Sequence, residues 1–299
     1  MDSLIKDLAV PLTKRLNRGS AIAGAAALAG AAALLLVLGA ARGGATADRS
    51  AGSLSIALPP AASDHLYAAP GTAGRPIVVL DAGHGGTDPG AVSVSGQVAE
   101  KQLTLALASE LRDLLVKRGR VRVALTRADD RYLTLDERAA VARRLGAGLF
   151  VSLHMDSAPN PLARGASIYS LSDVASDEEA ARFAAAQNRG AAADVPNGSA
   201  RALLSDLAMQ DQMDQSAAFA TRVVGRSAGR FELRPEPHRF AAFHVLRRAG
   251  TPAILFEAGY ISNADDELLL RDPAHRSAIA LALAQAIEAD VAARLGRQS

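Results

Sequence analysis

The sequence predicts an α/β fold, one sheet with helices packed on both of its faces. Two observations carry this. Short apolar runs, rich in β-branched residues and stopped by glycine or a polar residue, alternate along the chain with longer stretches whose leucines and isoleucines recur at helical spacing. No internal repeat interrupts the alternation. At 299 residues the chain is long enough for one sizeable domain with appendages.

The elements follow in order. Ile77, Val78, Val79 and Leu80 form a buried strand that stops at Asp81, after which four glycines fall within ten residues around His84. Glycines in such a cluster mark a backbone that turns sharply and is closely approached. Residues 99–118 place Leu103, Leu107, Leu111, Leu114 and Leu115 on one helical face, with Gly119 as the stop and Glu100 in the first turn. Residues 121–127 (VRVALTR) read as a strand, and Thr134 followed by Glu137 is a capping box that opens a helix to about residue 146. GLFVSLH, residues 148–154, is an apolar strand ending in His154, and GASIYSL, residues 165–171, is another. Residues 176–179 cap a further helix, 190–199 form a loop, and 202–225 are helical. TPAILFEAGY, residues 251–260, is the last strand, and residues 273–295 are the last helix.

Composition narrows the chemistry. Cysteine is absent, so disulfides, thiolate ligands and a cysteine nucleophile are all excluded, and any metal must be held by histidine and carboxylate. The formal charge is +2, but residues 1–47 carry five Lys/Arg against two Asp, a net of +3, leaving −1 for the rest. A near-neutral body without a basic run or tryptophan argues against nucleic-acid binding. Residues 1–47 read as an export segment. Lys6, Lys14, Arg15 and Arg18 precede an uncharged stretch over 21–41, and Ala45-Thr46-Ala47 offers small residues for cleavage. The stretch is long enough to span a bilayer, so an uncleaved membrane anchor competes with a cleaved signal peptide, and both place the body outside the cytoplasm. Residues 48–75, rich in Ala, Ser, Gly and Pro, are expected to be a linker, and 76–299 the catalytic domain.

Three strands thus end in a polar group, His84, His154 and Glu257, and Glu100 at a helix start can reach the same rim. In an open α/β sheet the carboxyl tips of the strands line one crevice. Two histidines and one carboxylate are the set that catalytic zinc takes when a fourth position is left for water. Taken singly, each residue has an ordinary reading: a hydrogen-bonded histidine, a carboxylate at a helix dipole, a salt-bridge partner. Convergence favours the metal, since a buried carboxylate is costly without a cation. The glycine loop has neither the lysine of a phosphate-binding loop nor the spacing of a dinucleotide site. His244 precedes the strand of Glu257 and reads either as a residue facing the site or as packing behind it.

Several separated blocks resemble the zinc-dependent N-acetylmuramoyl-L-alanine amidases, amidase type 3, the family of the cell-separation amidases. They are LDAGHGGTDPGA with Glu100-Lys101, LTR at 125–127, FVSLHMDS at 150–157, GASIYSL, and ILFEAGYISNADDE at 254–267. The resemblance spans residues 76–295. It implies a six-stranded, mostly parallel sheet, one zinc ion held by His84, Glu100 and His154, and Glu257 as the catalytic residue. The implied substrate is peptidoglycan, cleaved between N-acetylmuramic acid and the L-alanine of the stem peptide in wall remodelling and daughter-cell separation. A monomer is expected, with a protein activator as partner and with membrane contact only through the N-terminal segment. Two departures stand out: Met155-Asp156 follows His154 where the family commonly has a small residue and Asn, and no stretch of this sequence is expected to form a separate wall-targeting domain. Residues 203–220 resemble the part of the family that follows a regulatory insert, which in some relatives covers the zinc until an activator removes it. Residues 190–201 are too short for a long blocking helix, which leaves Asp194 and Asp206 as the acidic residues to test near the metal. A wall-binding module without turnover, or another zinc peptidase acting on wall peptides, are the competing expectations.

Overall fold

The computed structural model describes residues 64–191 and 200–298. The expected export segment lies outside them. Seven strands form one sheet, numbered here in chain order: β1 Leu66–Tyr67, β2 Ile77–Ala82, β3 Arg122–Leu125, β4 Leu149–Asp156, β5 Ala166–Leu171, β6 Leu233–Ala241 and β7 Ala253–Tyr260. Their order across the sheet is β1-β3-β2-β4-β7-β5-β6. The central strands β3, β2, β4 and β7 run parallel, β5 and β6 are parallel to each other, and the two junctions β1 with β3 and β7 with β5 are antiparallel.

The α/β class is as expected, with one strand more than the six implied. Leu66 and Tyr67 pair with Ala124 and Val123, adding an edge strand within the stretch read as a linker. The other strand without a sequence signal is β6, which contains Pro235, Glu236 and Pro237. Proline donates nothing to a ladder, so a run carrying two of them reads as loop, yet at the edge of a sheet one side needs no donors.

The helices are α1 Glu100–Arg118, α2 Leu135–Leu145, α3 Glu178–Gln187, α4 Ala200–Ser227, α5 His244–Arg248, α6 Ala264–Arg271 and α7 Pro273–Gln298. Local chemistry sets their ends. Thr134 accepts from the Glu137 N–H and Glu137 reaches back to Thr134, completing the capping box of α2, while Gly119 and Gly146 close α1 and α2 in left-handed conformation. Strand alternation sends Val78, Leu80, Val151, Leu153, Ile254 and Phe256 to one face, where they pack on leucines of α1 and on α7. Val79, Phe150 and Leu255 take the opposite face, against α2 and α5. Towards their carboxyl ends the strands replace these apolar residues on the second face with Asp81, Ser152, His154 and Glu257, all buried. That switch from apolar to polar along one face creates the site.

Candidate metal centre and active-site cleft

His84, Glu100 and His154 each offer a ligand atom within 4.8 Å of the others, the one such cluster of three or more potential ligands among the described residues. They come from the loop after β2, the first residue of α1 and the end of β4. His84 Nε2 lies 3.1 Å from Glu100 Oε2, and His154 Nδ1 lies 2.9 Å from Glu100 Oε1. Two backbone amides hold the carboxylate, Ala91 donating to Oε2 at 2.9 Å and Met155 to Oε1 at 3.1 Å. Nδ1 of His84 pairs with Asp88 Oδ2 at 2.8 Å, which turns its Nε2 inward. That Nε2 is buried, and the polar group it faces is the Glu100 carboxylate.

Close approach explains the glycines. A Cβ on Gly83 would stand 2.3 Å from Cε1 of His154, and one on Gly90 would stand 2.5 Å from Glu100 Oε2 and 2.7 Å from Cδ2 of His84. No larger residue fits at either position without moving a member of the cluster.

The charges respond to this crowding. Burial lowers the His84 pKa, but hydrogen bonds to Asp88 and Glu100 override it and raise the value to about 9. His154 is lowered, with burial as the dominant cause and Glu100 opposing it. Glu100, which burial alone would raise, is lowered because both histidines bond to it. Such a site holds positive charge against a buried carboxylate, the condition in which a cation can replace a proton.

Glu257 stands beside His154 in the parallel register of β4 and β7. Its side chain is fully buried, and neither oxygen has a hydrogen-bond partner among the described residues. Burial, then the charges of Asp156 and Glu100, raise its pKa well above the ordinary glutamate range. Asp156, two residues beyond His154, is pushed up to about 6 by burial, against hydrogen bonds from Tyr260 and the Ser157 N–H. The cluster opens into a cleft of about 690 Å³ that reaches past Tyr132 to Phe183, Asn188 and Arg189.

All four residues singled out in the sequence therefore meet at one end of the sheet. Asp88 was not singled out, although a carboxylate four residues after a histidine in a glycine loop is a readable sign of an orienting partner. His244 faces elsewhere: buried at the start of α5, its Nε2 lies 3.2 Å from Asp136 Oδ1, and its N–H donates to Asn188. It fastens α5 to α2. Asp206 is exposed on α4 and does not line the cleft, and Asp194 lies outside the described residues.

A family model described as N-acetylmuramoyl-L-alanine amidase matches residues 78–289. N-acetylmuramoyl-L-alanine amidase AmiA of Escherichia coli (strain K12) is 33% identical over 220 residues, 72% of this chain and 75% of that protein. N-acetylmuramoyl-L-alanine amidase AmiC of Neisseria meningitidis is 34% identical over 72% of this chain but 52% of its own length. Among solved structures, the catalytic domain of CwlV, an N-acetylmuramoyl-L-alanine amidase from Bacillus (Paenibacillus) polymyxa, is 29% identical with a TM-score of 0.50, covering 71% of this chain and 96% of that one. With most of the chain matched and all but its ends aligned to such proteins, the chain belongs to the N-acetylmuramoyl-L-alanine amidase family, enzymes of peptidoglycan hydrolysis.

Proposed function

We propose that the chain cleaves the amide joining the lactyl group of N-acetylmuramic acid to the L-alanine of the stem peptide, with zinc held by His84, Glu100 and His154 and with Glu257 as general base. One conjunction carries this reading: three converging donors whose nearest polar groups are one another, beside the buried Glu257 carboxylate, whose oxygens have no hydrogen-bond partner among the described residues. Two histidines and a carboxylate, with no thiolate in the chain, suit a catalytic zinc with an open position.

When bound, zinc supplies Lewis acidity that lowers the pKa of a coordinated water from 15.7 to roughly 7 and polarises a carbonyl. The chain's own residues do the rest. Asp88 fixes the tautomer and direction of the His84 ring, and the Ala91 and Met155 amides fix Glu100. Glu257 lies outside the converging cluster, which suits a proton carrier better than a ligand. Buried beside His154 and without a hydrogen-bond partner of its own among the described residues, its carboxylate would take a proton from the attacking water and deliver it to the departing nitrogen. No covalent intermediate is required.

Zinc stoichiometry, melting temperature and product masses from wall sacculi, measured on the same preparations, test this. Glu257→Gln should keep zinc and fold and lose about 10²-fold or more in rate, the usual contribution of a positioned acid/base group. Glu100→Gln should lose zinc together with activity. Near-normal turnover by Glu257→Gln would overturn the mechanism, and zinc loss in that variant would make Glu257 a ligand. Products cut within the stem peptide would mark a zinc peptidase, and sacculus binding without any product a wall-binding module.

We further propose that the body acts outside the cytoplasm, supported by the basic flank and apolar stretch of residues 1–47, with a separate protein as activator. Among the described residues no helix is long and apolar enough to cross a membrane. Fractionation of cells expressing the full chain checks this, and an intact chain in the cytoplasmic fraction would refute it.

A further inference from the structure

Two arginines are buried directly behind the metal cluster, one of them the last residue of the LTR block. Arg127 is fully buried, and Arg138 is 3% exposed. Their hydrogen bonds go mainly to backbone oxygens of the turn that carries His84. Arg127 donates from Nε to the Ala82 oxygen at 2.9 Å and from Nη2 to the Gly83 oxygen at 2.8 Å. Arg138 donates from Nη1 to the same Ala82 oxygen at 2.7 Å and from Nη2 to the His84 oxygen at 2.7 Å. Three consecutive carbonyls are thereby claimed by two guanidinium groups.

The turn needs such donors. β2 ends at Ala82, so the carbonyls that follow leave the ladder while still inside the protein, where each must find a partner. His84 itself has φ 60, a left-handed conformation that costs a non-glycine residue of the order of 1–3 kcal/mol and persists only where surroundings impose it. Among the described residues it is the one non-glycine residue with positive φ.

The electrostatics make the choice of arginine informative. Placing two cations behind a cation site opposes metal binding, so a neutral donor would be preferable if one sufficed. Arg138 is neutralised by Asp81 at 2.9 Å. Arg127 bonds only to neutral oxygens, those of Ala82, Gly83, Lys101, Asp129 and Thr104, and burial pushes its pKa down to about 10. What arginine alone offers is a rigid planar fork that can hold several carbonyls at fixed angles, which a lysine ammonium cannot.

We infer that Arg127 and Arg138 are positioning residues that lock the turn from Ala82 to His84 and thereby aim His84 Nε2 at the metal. The inference rests on His84 being a ligand, as proposed above. Thr104 belongs to the same device, since its hydroxyl donates to the Gly83 oxygen at 2.8 Å and accepts from Arg127 at 3.0 Å.

The test is zinc affinity by chelator competition on the full chain, alongside the melting temperature of the metal-free protein. Arg127→Lys and Arg138→Lys should each weaken zinc binding 10- to 100-fold, the usual effect of removing a group that orients a ligand. Arg276→Lys is the control. Arg276 also donates to backbone carbonyls, those of Leu270 and Arg271, but away from the cluster, so its loss should lower the melting temperature and leave zinc affinity unchanged. Wild-type affinity in both lysine variants would overturn the inference. Should either fail to fold, Thr104→Val decides: weaker zinc binding restored by Thr104→Ser supports the clamp, and unchanged binding refutes it. His84→Ala in the same titration separates the two levels, because wild-type affinity there would remove the ligand assignment itself.

Discussion

Asp81 sits beneath the cluster with 1% exposure, bonded to Arg138 at 2.9 Å and to the hydroxyls of Thr126 and Ser152, each at 2.7 Å. Burial raises its pKa, but Arg138 and the two hydroxyls prevail and hold it below the ordinary aspartate value. A depressed folded pKa contributes stability that is present above the unfolded value and lost as pH falls through the folded one. Asp81→Asn should therefore cost about 3–5 kcal/mol at pH 7, because it leaves Arg138 buried without a counter-charge. The gap from wild type should close as the solution is acidified below pH 4, and a gap independent of pH in urea titrations would refute this. Glu257 behaves oppositely. Its raised pKa favours the protonated form in the fold, so the stability it contributes is present below the unfolded value and declines as pH rises towards the folded one. In metal-free protein, Glu257→Gln should gain stability over wild type between pH 5 and pH 8, measured by the same titrations; a gain that does not grow with pH would count against it. His84, His154 and Glu257 were legible in the sequence because each ends an apolar strand. Arg127 and Arg138 were not legible as partners of the turn, since a bond to a backbone carbonyl leaves no mark on the residue that accepts it.

Loop 91–99 illustrates the same division for an element. It leads into α1 and so places Glu100, yet its anchor comes from α6, over 170 residues along the chain. The Ser95 N–H donates to Glu267 Oε2 at 3.0 Å, the Ser95 hydroxyl to Oε1, and the Val94 N–H to the Ile261 oxygen at 3.1 Å. Glu267 is 3% exposed. Glu267→Ala should therefore free the loop, and amide exchange at Ser95 and Gly96 should rise at least tenfold by hydrogen-exchange mass spectrometry while amides of β4 stay protected. Equal protection of the loop in both proteins would show that backbone bonds alone hold it. Elements with local punctuation were readable: Thr134 and Glu137 announce α2 within four residues, and Asp177 announces α3 by accepting from the Ala180 N–H. β6 was not readable. Its alternation is broken by Pro235 and Pro237, and only its neighbour β5, pairing Tyr169 with Arg239, makes it a strand.

The described residues form a sheet with a core on each face, and its edge strand β1 contributes to both. Leu66 packs on the core beside α2 and Tyr67 on that beside α1, as alternation along two extended residues requires. Arg112 stacks 4.7 Å from the centre of the Tyr67 ring, and Asp64 pairs with Arg144 at 2.6 Å. The composition of residues 48–75 conceals this, because two residues are too short a run to show a period against Ala, Ser and Pro. A chain starting at Asp64 should consequently outlast one starting at Pro76. Two partly buried apolar side chains and a cation–π contact should be worth about 1–3 kcal/mol, the exposed ion pair adding little. Removing β1 also bares the donors and acceptors of β3 along a sheet edge, which invites pairing between molecules. The shorter chain should thus unfold at lower urea and show concentration-dependent self-association in sedimentation. Its zinc affinity should match the longer chain's, since the cluster lies at the tips of β2 and β4 and draws no residue from β1. Equal stability with both chains monomeric would reduce β1 to an ornament of the edge, and a loss of zinc affinity would mean that the edge and the metal site are coupled through β3 and β2.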